Sequence, residues 1–339
     1  MQLDLNTLWF VIVGILFSGY VILDGFDLGI GVLYLFTKSD KDRRLMLNVI
    51  GPVWDSNEVW LVTGGGALFA AFPGAYATVF SGFYEIFMFL LFGLIFRAVA
   101  IEFRSKETWR WWRQMWDVFF SLGSVLSSFI IGVTMGNIAL GIPLDSNYNY
   151  TGSFLDLLNA YSIVLGVMTV AMFMMHASIY ALMKTEGELH DNIRKWITPC
   201  IIFFLTSFFI FNIMTFIYAQ HIVEMVMKRP HIWFLFIAIV LVVINIPRQI
   251  RKGSDFKAFL SSCFAMVLLM GLYASSVYPN LLFSNPHIYA MTIYNAASSH
   301  KTLQIMTIVA AIGMPMVCAY TICVYRVFRG KVKLDDLSY

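Results

Sequence analysis

Charge is scarce in this chain: Asp, Glu, Lys and Arg make up 13% of its 339 residues, while 59% are hydrophobic. A water-soluble globule of that composition has nowhere to hide its apolar surface, so the shortage excludes a soluble protein and points to lipid as the main solvent. Cysteine is scarcer still. Cys200, Cys263, Cys318 and Cys323 all sit in apolar runs without CxxC or other metal-ligand spacing, which argues for packing rather than a metal site. No basic residue precedes the first apolar stretch, Leu8 to Phe36, and no small-residue cleavage site follows it. It is expected to be a retained span rather than a removed leader. Low-complexity linkers, a soluble domain and an internal repeat are also missing, so a single membrane domain over residues 1–339 is expected. The net charge of +3 is spread along one membrane face and gives no case for nucleic-acid binding.

What is present is a series of apolar runs, each near the roughly 20 residues that a helix needs to cross a bilayer core of about 30 Å. Polar breaks place spans near 8–36, 51–72, 76–101, 115–140, 158–183, 197–220, 231–248, 258–279 and 303–328. The fold class expected is therefore an all-α polytopic membrane protein of about nine transmembrane helices. The connections after spans one, three, five and seven and the C-terminal tail hold 20 of the 23 basic residues. The opposite connections hold only Lys228, Arg229 and Lys301. Basic residues accumulate on the cytoplasmic side, which puts the N-terminus outside and the C-terminus inside. Trp9 and Trp233 fall at expected outer ends and Trp109, Trp111, Trp112, Trp116 and Trp196 at inner ends, as headgroup anchors would.

An ionisable side chain in mid-membrane costs on the order of 3 kcal/mol, so each one calls for a partner, a wet cavity or a task. The first third of the chain has an excess. Asp24 and Asp27 stand three apart on span one, Asp55 and Glu58 three apart on span two with Asn57 between them, and span three carries Glu85 and ends near Arg97. At about 1.5 Å of rise per residue, Asp27 lies roughly 13 Å, Asp55 roughly 6 Å and Glu58 roughly 11 Å from the same face. These carboxylates share a layer that Arg97 can reach, and such a layer suits proton entry from the cytoplasm. Buried hydrogen bonding between helices is the competing account, above all for Asn57 and Glu85. Gly25, Gly29 and Gly31 in span one and Gly64, Gly65 and Gly66 in span two read as close-packing positions.

Several segments carry a family resemblance: Asp24-Gly-Phe-Asp-Leu-Gly-Ile-Gly31, Gly51-Pro-Val-Trp-Asp-Ser-Asn-Glu-Val-Trp60, Gly65-Gly-Ala-Leu-Phe-Ala-Ala-Phe-Pro73, Ser81-Gly-Phe-Tyr84 and Arg97-Ala-Val-Ala-Ile-Glu-Phe-Arg-Ser-Lys106. The sequence resembles subunit II of a cytochrome bd-type quinol oxidase, densely in the first third and more loosely through Trp116-Asp117, Gly152-Ser-Phe, Thr185-Glu-Gly-Glu-Leu-His190 and Ser298-Ser299. The resemblance implies a bacterial cytoplasmic membrane complex that oxidises quinol and reduces dioxygen to water. It implies that haem b and haem d sit in a partner, subunit I, and it leaves small accessory membrane subunits open. It also implies that this subunit lends a proton path, with Asp27, Asp55 and Arg97 matching the family's acids and arginine. Asp24 and Glu58 join that path as candidates, with Trp54, Asn57, Gly25 and Gly29 shaping or packing it. Ser56 and Glu58 depart from the glycine and glutamine of some relatives.

No catalytic residue, metal site or firmly held cofactor is expected in this chain; a structural quinone or lipid is left open. His176 alone is placed within a span where it could ligate haem iron, and an interhelical hydrogen bond is the competing role. His190, His221, His231, His287 and His300 fall in connections or at span ends. A proton-coupled transporter and a purely structural scaffold remain as rival readings of the same acids.

Overall fold

A computed structural model of the chain describes residues 4–285 and 289–334, so His287 lies outside the described residues. It is 81% helical. The helices are α1 (Leu5–Leu33), α2 (Asp40–Ile50), α3 (Trp54–Ala71), α4 (Pro73–Gly82), α5 (Tyr84–Phe103), α6 (Arg110–Leu140), α7 (Ala160–Lys184), α8 (Gly187–Tyr218), α9 (Gln220–Met227), α10 (His231–Arg251), α11 (Asp255–Val277) and α12 (His300–Val327). Between α11 and α12 lies a two-stranded antiparallel ribbon, β1 (Asn280–Leu282) with β2 (Met291–Thr292).

Local chemistry sets several of these boundaries. The side chains of Asp4, Ser39, Asn159 and Ser299 accept backbone N–H groups in the first turns of α1, α2, α7 and α12, satisfying donors that a helix start leaves orphaned. Gly141 ends α6 at φ +98°, a conformation that a side chain would strain.

Eight helices among the described residues are long and apolar enough to cross a membrane: α1, α5, α6, α7, α8, α10, α11 and α12. The expected second span is α3, an 18-residue helix whose first turns hold Asp55, Asn57 and Glu58 and so dilute its hydropathy. The expected third span is divided. Pro73 opens α4, Phe83 leaves helical geometry at φ −104° and ψ 24°, and only α5 is long enough to cross. Pro73 also pushes Phe72 out of the helical region, which is why α3 stops at Ala71. Hydropathy alone did not mark α2 or α9, both short helices between longer ones.

The core forms around α7, 72% of whose apolar window is buried, against α1, α6, α8 and α11. Close approach makes this possible. A Cβ at Gly29 would sit 2.0 Å from the Phe173 carbonyl oxygen, and one at Gly25 would meet the Phe173 ring. Two glycines on one face of α1 therefore let its backbone lie against α7. By contrast α12 buries only Leu303. Trp9, expected as a headgroup anchor, is instead buried, and its Nε1 donates to the Leu303 carbonyl (3.1 Å) and the Thr307 hydroxyl (3.1 Å). It ties α1 to the start of α12.

Candidate functional site

Side chains spaced four and three apart on a helix share a face, and on α1 this aligns Tyr20, Asp24 and Asp27, all fully or almost fully buried. From α5, Arg97 enters the same space about 9 Å from the helix end. It is 0% exposed. Its Nη1 donates to Asp24 Oδ1 at 2.6 Å, and its Nη2 donates to Glu58 Oε1 on α3. Asn57, next to Glu58, points its amide at α1: Nδ2 donates to Asp27 Oδ2 (2.8 Å) and to the Leu23 carbonyl (3.1 Å). The Tyr325 hydroxyl of α12 donates to Asn57 Oδ1 at 3.0 Å.

Three carboxyl groups thus gather round one guanidinium, and the number of protons they share sets the charge of the site. Tyr20 Oη, Asp24 Oδ2, Asp27 Oδ1 and Arg97 Nε are buried without a hydrogen-bond partner among the described residues. Buried polar atoms are rarely left unpaired, and internal water is commonly held where such atoms gather.

Asp24, Asp27, Glu58, Asn57 and Arg97 come together as one cluster, with Arg97 on Asp24 and Glu58 rather than on Asp27. Asp55 does not join the buried group. It lies on the exposed side of α3, one turn before Glu58. Trp54 is half-buried beside it and packs on the core. Glu85 is exposed in the first turn of α5, about 18 Å along the helix from Arg97. Two members escaped the sequence reading. Tyr20 carried a signal, standing four residues before Asp24; Tyr325, 268 positions from Asn57, carried none.

A second polar group lies at the cytoplasmic end expected for α1 and α6. Asp117 accepts from Arg43 Nη1 (2.7 Å) and Arg104 Nε (2.5 Å), and Asp40 on α2 accepts from Arg104 Nη2 (2.7 Å) and Arg113 Nη1 (3.1 Å). Burial pushes the Asp40 carboxyl up, but the Arg104 hydrogen bond and the neighbouring arginine charges outweigh it and hold the group below its usual range.

His176 is fully buried between α1 and α11. Its Nε2 lies 3.0 Å from the Ile22 carbonyl and its Nδ1 2.8 Å from Ser262 Oγ. A carbonyl only accepts, so Nε2 carries the proton and donates, and both ring nitrogens are engaged. This histidine does not fit haem iron. No group of three or more His, Cys, Asp or Glu among the described residues suits a metal ion. An apolar cavity of about 390 Å³ lies among α6 to α11, lined by Tyr161, Met168, Met172, Phe208 and Tyr273 among others.

The family model described as cytochrome bd terminal oxidase subunit II matches residues 5–328. The chain belongs to this family. Subunit II is thus a multi-pass protein of the bacterial cytoplasmic membrane and part of an oxidoreductase complex that includes a subunit I. It is 34% identical over 332 residues to cytochrome bd ubiquinol oxidase subunit 2 of Bacillus subtilis (strain 168), covering 97% of each chain. It is 32% identical over 367 residues to cytochrome bd-I ubiquinol oxidase subunit 2 of Escherichia coli (strain K12), covering 98% of this chain and 97% of that one. Its fold matches a chain of the bd oxidase from Geobacillus thermodenitrificans with a TM-score of 0.81, at 13% identity, over 96% of this chain and 99% of that chain.

Proposed function

We propose that subunit II conducts protons from the cytoplasm toward haems held by subunit I, in an enzyme that oxidises quinol and reduces dioxygen to water. The observation that carries this reading is the cluster of buried Asp24, Asp27 and Arg97 with half-buried Glu58, and the polar atoms there that lack a partner among the described residues. Packing alone needs neither three carboxyls nor an arginine there, and water held at those atoms supplies a hydrogen-bonded file. Asp55, one turn nearer the cytoplasmic end of α3, is the entry group that hands protons to Glu58 and Asp27. Its exposed face belongs to subunit I in the complex, as does the bare side of α12. Arg97 fixes the charge balance of the cluster.

With α3 counted as a crossing, the chain passes the membrane nine times as one domain, N-terminus outside and C-terminus in the cytoplasm. The cavity among α6 to α11 holds a structural quinone or lipid tail, since its volume lies within the roughly 300–1,000 Å³ of ordinary ligand sites and its walls are apolar.

Asp55→Asn and Asp27→Asn are expected to slow quinol oxidase turnover by roughly a hundredfold or more, the scale of a lost proton transfer, while the purified complex keeps its haem content. Wild-type turnover at saturating quinol in both variants would sink the proton-path reading.

A further inference from the structure

A second cavity lies on the surface of the bundle. α1 and α11 run antiparallel from Thr7 beside Tyr278 to Ser18 beside Val267 and leave a groove of about 550 Å³ between them. At the helical rise it is roughly 16 Å long. Its depth comes from Gly14 and Gly271, where an added Cβ would meet nothing within 4 Å. Its rim is apolar and open, with Ile15 and Val267 both exposed.

The end of the groove nearest the chain's N-terminus meets Arg229. The guanidinium donates Nη1 to the Ser275 carbonyl (2.9 Å) and Nη2 to the Tyr278 carbonyl (3.0 Å), and lies 5.8 Å over the Tyr278 ring. Those contacts use two of its five N–H donors on neutral partners. No carboxylate among the described residues pairs with it. Lys228 beside it is exposed. Together they are two of only three basic residues in the connections on that side of the membrane, an exception that the proton path does not use.

We propose that the groove seats one acyl chain of an anionic phospholipid, with the phosphate on Arg229. An unmatched cation at the interfacial end of an apolar slot selects a negatively charged headgroup over a neutral one. A quinone ring brings no negative charge to answer the guanidinium. A partner helix is about 10 Å across, too wide for a slot opened by two missing side chains. This site is distinct from the cavity among α6 to α11, although Met270 lines both.

The test uses the intact oxidase complex, purified in mild detergent, stripped of loose lipid and titrated in native mass spectrometry with phosphatidylglycerol or phosphatidylcholine of equal chain length. The wild type is expected to hold one phosphatidylglycerol that leaves last. Arg229→Gln should lower the preference for phosphatidylglycerol about fivefold, the worth of one basic residue at an anionic surface. Gly271→Leu should fill the slot and remove that lipid whatever its head, while co-purification with subunit I stays at the wild-type level. Gly14→Leu blocks the same slot from the other wall and serves where Gly271→Leu does not assemble. Unchanged lipid retention in the leucine variants, unchanged preference in Arg229→Gln, or a density map showing a protein helix or a quinone in the groove would each overturn the proposal.

Discussion

Asn57 has one carbonyl oxygen and one NH2 group, and both are committed. Because the Tyr325 hydroxyl donates to the oxygen, the NH2 must face Asp27 and the Leu23 carbonyl. Tyr325 is in this way a positioning residue that acts on Asp27 through Asn57. Tyr325→Phe frees the amide to turn, and the loss of about 1 kcal/mol of orientation predicts a fall of roughly fivefold in turnover. Quinol KM should hold, and adding Tyr325→Phe to Asn57→Ala should slow the enzyme no further. Additive losses would show that Tyr325 works by another route. Arg97 makes a different demand. Arg97→Met leaves buried Asp24 beside an apolar chain, and stripping one partner from a buried pair costs about 3–5 kcal/mol. The expected result is poor assembly with subunit I, seen as lost yield on gentle purification. Arg97→Lys should recover part of the yield, since one ammonium keeps the charge but not the fork that spans two carboxylates. Wild-type yield from Arg97→Met would refute this account. The acids and Arg97 were legible in the sequence because charge in an apolar run is conspicuous. Tyr325 was not, because a tyrosine near a helix end reads as a headgroup anchor until its partner is seen.

At the scale of elements, α12 shows what periodicity and hydropathy leave out. Its length and apolar composition announce a span, yet only Leu303 is buried in this chain. Two polar ties hold it: Trp9 to Leu303 and Thr307 at one end and Tyr325 to Asn57 at the other. Trp9→Phe removes one indole N–H, shared between two acceptors far from the acid cluster, which predicts about 1 kcal/mol less stability and a lower thermal midpoint of the complex. Turnover of the enzyme that survives should stay at the wild-type level, which separates docking of the helix from positioning of Asp27. An equal drop in turnover with Trp9→Phe and Tyr325→Phe would mean that α12 matters only as a whole. The division of the expected third span into α4 and α5 was hidden for a related reason. The run through Ser81-Gly-Phe-Tyr84 holds no proline or charge to announce a stop, and the break at Phe83 lies in backbone angles that composition does not report. α3 was placed well despite its polar first turns, because the acids themselves were read as buried cargo rather than as a loop.

For the whole molecule, the helix ties constrain where the chain begins and ends. Trp9 near the start of α1 meets the start of α12, and Asn57, which holds Asp27 far along α1, meets Tyr325 far along α12. The two helices therefore run parallel, and a chain that enters at one face of the bundle leaves at the other. That parity supports an odd number of crossings, as nine with α3 included would give, and agrees with the asymmetry of 20 basic residues against three. Eight crossings would bring both ends to one face. The deciding measurement is cysteine labelling in a variant without Cys200, Cys263, Cys318 and Cys323, using a membrane-impermeant maleimide on intact spheroplasts. Cysteine placed at Asn6 or Lys228 should label from outside, and cysteine placed at Lys41 or Arg329 should label only after lysis. Labelling at Arg329 before lysis would make the count even and take α3 out of the membrane. The acid cluster would then open on the wrong side for proton uptake, because Asp55 and the Arg43–Asp117–Arg104 group must share the cytoplasmic face for the path to begin there.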